Sequence, residues 1–307
     1  MNEVTKEKVN QRKINQKFDF FPYIALLPAF IYLIIFFIYP LVLSFYYSFT
    51  QLSLYNINRS IFVGFSNYKN LFTSSVFIQS ITITIAFVIL SGIVGQMFLG
   101  SIVAYIINST RKTFSTIVIL IILMAWATPQ VVGGITWYST VSYIPMGVVN
   151  YIITRLGATP INFLSTSNAL YTVIVANTWL GLGFSVLLFN AALKNISPSI
   201  IKATIIDGAN PFSRFFRVIF PMLKNTILTD LILITLWTLG TFTMIYVMTA
   251  GGPANATDLL TIYQYRTAFS LFSVGLANAI GVIIILIGVV MSLIYLRFIK
   301  IERSESQ

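Results

Sequence analysis

Between Lys69 and Arg111 the sequence carries no charged residue. So long an uncharged run fits one helix crossing a bilayer, at about residues 77–107, better than any element of a soluble domain. Similar apolar runs recur along the chain, most of them bounded by basic residues. In lipid each backbone N–H and C=O needs a partner inside the protein, so such runs are helices. The expectation is an all-α membrane protein with about six transmembrane helices. Of the 307 residues 57% are hydrophobic and 9% charged, against about a quarter charged in a soluble domain. The net charge of +11 is spread beside the apolar runs and forms no basic–aromatic face. It therefore implies a lipid bilayer as partner and no nucleic acid. Cysteine and histidine are both absent, which leaves no disulfide framework, no thiolate or imidazole metal site and no Ser-His or Cys-His nucleophile. Catalysis would rest on eight carboxylates, several of them in the tails. No enzyme is expected.

Taken in order, residues 1–21 are a polar, basic tail, and the run that follows is too long for a signal peptide and lacks a small-residue cleavage site. It reads as an uncleaved first span at about 22–49, with Pro40 kinking its far half. An aromatic-rich external segment, Phe62 to Phe72, precedes the second span. The third span is expected at about 114–138. Its Ala127-Thr-Pro129 and Gly133-Gly134 mark either a bend beside a pathway or close helix packing. An external loop, 139–168, is interrupted by Pro145, Gly147, Gly157 and Pro160, with a short interfacial helix at Met146 to Ile153. The fourth span is placed at 169–192 and the fifth at 226–248. Asp230 in the fifth is either a functional group or a carboxylate that reaches the interface or Lys224. After an outer turn at Thr249–Asp258 the last span runs at 270–296, with a tail at 298–307. Fifteen of the nineteen basic residues then fall on the side of both termini. The positive-inside rule makes that side the cytoplasm, so the loop at 193–225, between spans four and five, is cytoplasmic too.

That loop is unusual. Lys202, Asp207, Arg214 and Arg217 stand within one short run between two apolar segments. Ile200 to Ile206 is mostly apolar, and Phe212, Phe215, Phe216, Ile219 and Phe220 recur at helical spacing. Asp207-Gly208 lies between, where glycine takes the positive-φ conformation that ends a helix. Pro211 is tolerated in the next helix's first turn, and Pro221 is expected to stop that helix. The reading is a short, bent, amphipathic helix pair, either a docking element or an interfacial linker.

Gly208, with Ala203 five residues before it, Val218 ten after it and Phe220-Pro221 closing the run, resembles the Glu-Ala-Ala loop. That loop marks the membrane permease subunits of binding-protein-dependent ABC importers, here the carbohydrate-uptake branch. Gly64-x-x-Asn67-Tyr68 and the Gly251-Gly252-Pro253 turn resemble the same family, and the likeness runs from about residue 22 to 296. It departs where Lys202 replaces the usual glutamate and Thr204 the second alanine. The resemblance implies one six-helix permease domain (22–297) in the cytoplasmic (inner) membrane. Its partners would be a second, different permease, two cytoplasmic ATPases that hold ATP and Mg²⁺, and an external solute-binding protein. No phosphate-cradling glycine loop is present, so this chain would bind no cofactor. ATPase docking falls on Lys202, Ala203, Thr204, Ile206, Asp207, Gly208, Ala209, Phe212 and Pro221. For a sugar or related polyhydroxylated solute, Asn177, Trp179, Trp237, Thr238, Thr241 and Asn278 offer hydrogen bonds and aromatic faces, although each also fits helix packing. A permease for a non-sugar solute is the nearest rival. An ion-coupled secondary transporter would need mid-depth carboxylates or inverted repeats, and a membrane-embedded enzyme clustered acids, histidines or cysteines.

Overall fold

The computed structural model describes residues 21–305 except Ile57, Ile144 and Pro145. The basic head and Pro145 lie outside the described residues. Residues up to Ser44 form one unit, and Phe45 onward a second. The first helix, α1, covers residues 21–47, with a wide π turn at Ile34–Ile38 and exposed side chains on every side from Ile24 to Val42.

In the second unit α2 (Ser66–Thr73) leads into α3 (Ser75–Asn108), which is about 50 Å long and so more than long enough to cross a bilayer. Next come α4 (Lys112–Trp126), α5 (Gln130–Val141), α6 (Val148–Arg155) and α7 (Ala169–Lys194). The helix pair of the loop expected in the cytoplasm is α8 (Pro198–Ile206) and α9 (Pro211–Met222). Then follow α10 (Lys224–Leu239), α11 (Thr243–Thr249), α12 (Leu260–Phe269) and α13 (Val274–Glu305). The short interfacial helix of the external loop thus lies at Val148–Arg155, and the last helix continues beyond the expected span. Among the described residues four helices are long and apolar enough to cross a membrane, and the number rises to six if each of two bent pairs is one span.

Two expected spans are not single helices. The third breaks at 127–129, where α4 and α5 meet at 100°. Pro129 sits just ahead of α5, with the extended ψ of 137° that a helix cannot hold. Alone, α4 is about 22 Å long, short of a hydrocarbon core. Packing contributes as well: Gly134 lets α5 lie against Val247 of α11, where a Cβ would come within 3.0 Å. The fifth span starts at Lys224 and breaks at 240–242 instead of running to 248. The carbonyl of Thr241 is freed there, and the Thr261 hydroxyl donates to it at 2.6 Å. Irregular backbone survives at membrane depth only with such a partner, or beside a cavity.

The spine of the second unit is α7, packed along α3 and flanked by α4 and α10. It is buried on several faces, as its unbroken apolar sequence requires. On the cytoplasmic side Phe189 and Val186 of α7 meet Phe215 and Ile219 of α9. Toward the outside, Val173 and Ala176 meet Ile245 and Leu259. Asp230 does not reach the interface. It is fully buried, and the Ser185 hydroxyl donates to Oδ1 at 3.2 Å.

The outer surface is stitched together through backbone. Leu54 N–H donates to Phe272 O and Gly275 N–H to Leu52 O, both at 3.0 Å. The amide of Asn67 donates to Ser48 O and Thr50 O at 2.8 and 2.9 Å, so this residue of the aromatic segment is a brace. In the outer turn the buried Asp258 pairs with Arg266 at 2.5 Å. Burial pushes its carboxyl above the usual range, and the guanidinium and the Ser80 hydroxyl oppose that. At Gly275 a Cβ would overlap the carbonyl oxygen of Thr50, which is backbone and cannot swing aside. Gly275→Ala should cost about 2–3 kcal/mol, read as a lower thermal-unfolding midpoint of the purified protein. An unchanged midpoint would mean that the two loops do not close on each other this tightly.

Candidate cytoplasmic coupling knob and translocation path

The knob is built by its own capping chemistry. Ser197 caps α8, with Pro198 in the first turn. At the far end Gly208 takes φ +75°, and Ala209 N–H donates back to Thr204 O at 3.0 Å, while Gly208 N–H donates to Ile205 O at 3.0 Å. This is a glycine-terminated helix end of Schellman type. Asn210 caps the next helix by accepting from Ser213 N–H at 2.7 Å. The half-buried Arg214 folds back and donates to Ala209 O at 3.1 Å, which helps hold the bend, whereas Arg217 is exposed. A Cβ on Gly208 would meet nothing within 4 Å, so its requirement is backbone conformation alone. Gly208→Val should strain the bend by about 1–2 kcal/mol. Membrane insertion should persist and co-purification with the ATPase fall; normal yield of the intact complex would contradict this.

Pro221 does not stop α9. A π turn at Phe215–Ile219 makes room for its ring, the helix continues to Met222, and the break falls at Leu223 with a 78° bend into α10. The knob is therefore joined to a span through one residue. Phe215 and Ile219 anchor it in the core, and the Tyr105 hydroxyl donates to Pro211 O at 3.2 Å. Ile206 and Phe212 point away, 84% and 73% exposed. Lys202, Ala203 and Asp207 are exposed beside them. Thr204 is not, because its side chain is buried and its hydroxyl donates to Ile201 O at 2.7 Å.

A cavity of about 420 Å³ lies between α3, the α4–α5 bend, α7 and the 240–242 break. Asn177, Trp237, Thr238 and Thr241 line it, as do Gln96, Trp126, Thr128 and Gln130, which the sequence reading passed over. Gln130 follows the Pro129 break, and Gln96 is the one amide within the α3 portion of the wall; an isolated amide in an apolar run was the signal available for both. Trp179 does not line the cavity. Two residues on from Asn177 it falls on another face of α7, stacked edge-on against Trp137 at 6.1 Å. Asn278 lines a separate cleft. The Asn177 amide donates to the Ser91 hydroxyl at 2.8 Å, and the Gln96 amide lies 3.4 Å from Asn177 O. Gly181, one turn on from Asn177, leaves the space that the Gln96 amide fills. Residues 88–98 of α3 form an extended π segment here, as helices often do at functional sites.

The second unit thus joins broken spans around a polar cavity to a capped helix pair hung from one of those spans. Residues 96–301 match the family described as "Binding-protein-dependent transport system inner membrane component". Among curated proteins the chain is 30% identical over 282 residues to the trehalose/maltose transport system permease protein MalF of Thermococcus litoralis, covering 92% of this chain and 94% of that one. It is also 30% identical over 280 residues to the sulfoquinovosyl glycerol transport system permease protein SmoG of Agrobacterium fabrum, covering 90% and 89%. Among solved structures, a bacterial ABC transporter involved in the import of alginate superposes with a TM-score of 0.75 at 23% identity, over 91% of this chain and 95% of that one. The chain belongs to the inner-membrane permease family of binding-protein-dependent ABC importers, in its carbohydrate-type branch. It is a multi-pass, non-catalytic component of such a system.

Proposed function

We propose that this subunit carries a sugar or related polyhydroxylated solute across the membrane, alternating between outward and inward access as two cytoplasmic ATPases close and open. The observation that carries the reading is the central cavity. Its wall combines two tryptophans, two glutamines, an asparagine and three threonine hydroxyls, with no charged side chain. Aromatic faces and amides suit a ring bearing hydroxyls, and a phosphate or polyamine would want opposite charge in the wall. The relatives named for trehalose/maltose and sulfoquinovosyl glycerol support a sugar-type cargo. A second permease completes the path, and an external solute-binding protein delivers the cargo.

ATP and Mg²⁺ reside on the ATPases. This chain's own contribution is mechanical: the knob sits in a groove on one ATPase, with Ile206 and Phe212 buried there. Movement of the ATPase passes through Leu223 into α10, whose far end is the broken wall of the cavity. The capped Gly208 bend keeps the knob stiff enough to transmit that movement. To test the cargo, the complete complex in proteoliposomes is supplied with maltose, trehalose, sulfoquinovosyl glycerol, glycerol 3-phosphate or spermidine, each with the binding protein. At least one of the three sugars should stimulate ATP hydrolysis several-fold. Stimulation by glycerol 3-phosphate or spermidine alone would overturn the sugar assignment.

A further inference from the structure

Beyond the central cavity, a second cleft of about 390 Å³ opens between Phe242, α12 and the start of α13. One wall is aromatic. Phe242 and Tyr265 lie 5.0 Å apart between ring centroids, Tyr265 and Phe269 4.9 Å, and Tyr246 backs them at 5.0 Å from Phe242. Beside that wall lie two amides, of which Gln264 packs against Gly281 of α13. The Gln264 side chain makes no hydrogen bond among the described residues, and Asn278 spends its amide on Val274 O, leaving Oδ1 open. A lipid-facing groove looks different. The groove between α10 and α13, lined by Leu236, Leu239, Ile284, Ile285 and Val289, holds no amide, and its Ser292 hydroxyl is turned back onto Gly288 O. Half-buried amide groups with unused hydrogen-bonding capacity are costly beside acyl chains and useful beside hydroxyls.

We propose that the cleft of Phe242, Tyr265, Phe269, Gln264 and Asn278 is a second sugar-ring subsite on the outward side of the 240–242 break. The aromatic wall takes the apolar face of a pyranose, and the two amides take its hydroxyls. The outward placement follows from the fold: α12 and the start of α13 join the external loops, and Leu54 N–H donates to Phe272 O. Only the break separates cleft and cavity. Thr241 lines the cavity, Phe242 lines the cleft, and the Thr261 hydroxyl, from the cleft wall, holds the Thr241 carbonyl. An entering sugar would meet the cleft first, then the cavity. This subsite rests on the sugar reading above.

The test uses the absence of cysteine from this chain. Single-cysteine variants Ala268→Cys, in the cleft, and Thr241→Cys, in the cavity, are reacted with a maleimide in the reconstituted complex. Labelling of this subunit is followed by mass spectrometry, with and without maltose and trehalose. Either sugar should slow labelling at both positions. Adding Phe269→Leu or Asn278→Ala should raise the concentration for half-protection at position 268 about tenfold. Protection at 241 with none at 268 overturns the subsite and leaves the sugar reading standing. Protection at neither, with a sugar that stimulates ATP hydrolysis by the complex, overturns both. A cysteine at 268 that fails to react even without sugar shows the cleft covered by lipid or by another subunit, which also overturns the subsite.

Discussion

Phe212→Asp and Ile206→Asp should each abolish solute-stimulated ATP hydrolysis in proteoliposomes, while Lys202→Ala keeps most of it. The two apolar residues stand on either side of the Gly208 bend and are the most exposed apolar side chains of the knob. Burying either against an ATPase contributes about 2–3 kcal/mol. A carboxylate in that place loses the gain and adds the cost of desolvating a charge, so the expected loss is a hundredfold or more in docking affinity, with roughly 1.4 kcal/mol per tenfold. Lys202 reverses the charge usual at its position in the Glu-Ala-Ala pattern. As an exposed side chain it contributes about 0–1 kcal/mol through any ion pair, which apolar burial elsewhere in the knob can replace. If Lys202→Ala is as inactive as the two acidic variants, the lysine has a specific acidic partner on the ATPase and docking is not chiefly apolar.

Gly181→Val should insert and assemble normally yet reduce uptake at least about tenfold, equivalent to roughly 1.4 kcal/mol of lost solute binding. A side chain at 181 would overlap the Gln96 amide. That amide is the end of a flexible side chain and can swing aside, so the fold should tolerate the change. Its displacement would fill the cavity wall between Asn177 and Gln96 and leave polar groups mispaired there. ATPase docking, some distance along the chain, should not change. Uptake at the wild-type rate would mean that the cavity is not on the solute's path.

The spans were legible because hydrophobic length and flanking charge are set by the bilayer itself, and the Gly208 bend because a positive φ after Asp207 leaves a glycine signature. The breaks at 127–129 and 240–242 were harder to read. Pro129 announced the first only as one of two alternatives, and the second has no proline and depends on Thr261, distant in sequence, to satisfy the freed carbonyl. Pro221 was read as a stop because the π turn ahead of it leaves no trace in residue type. Among the solute-path candidates Asn177, Trp237, Thr238 and Thr241 converge on one cavity. Trp179 and Asn278 were chosen by residue type, without the helical phase that turns Trp179 to another face. Gln96 and Gln130 line the same cavity for a reason that residue type does not carry: their place there arises from which helices meet.

The most direct test of the account is uptake of labelled sugar into proteoliposomes holding the complete complex, with ATP inside and the sugar-loaded binding protein outside. Uptake should require the ATP and the binding protein, persist when proton and sodium gradients are collapsed, and vanish with Phe212→Asp. Uptake that an imposed ion gradient drives without ATP, and that Phe212→Asp leaves intact, would contradict it.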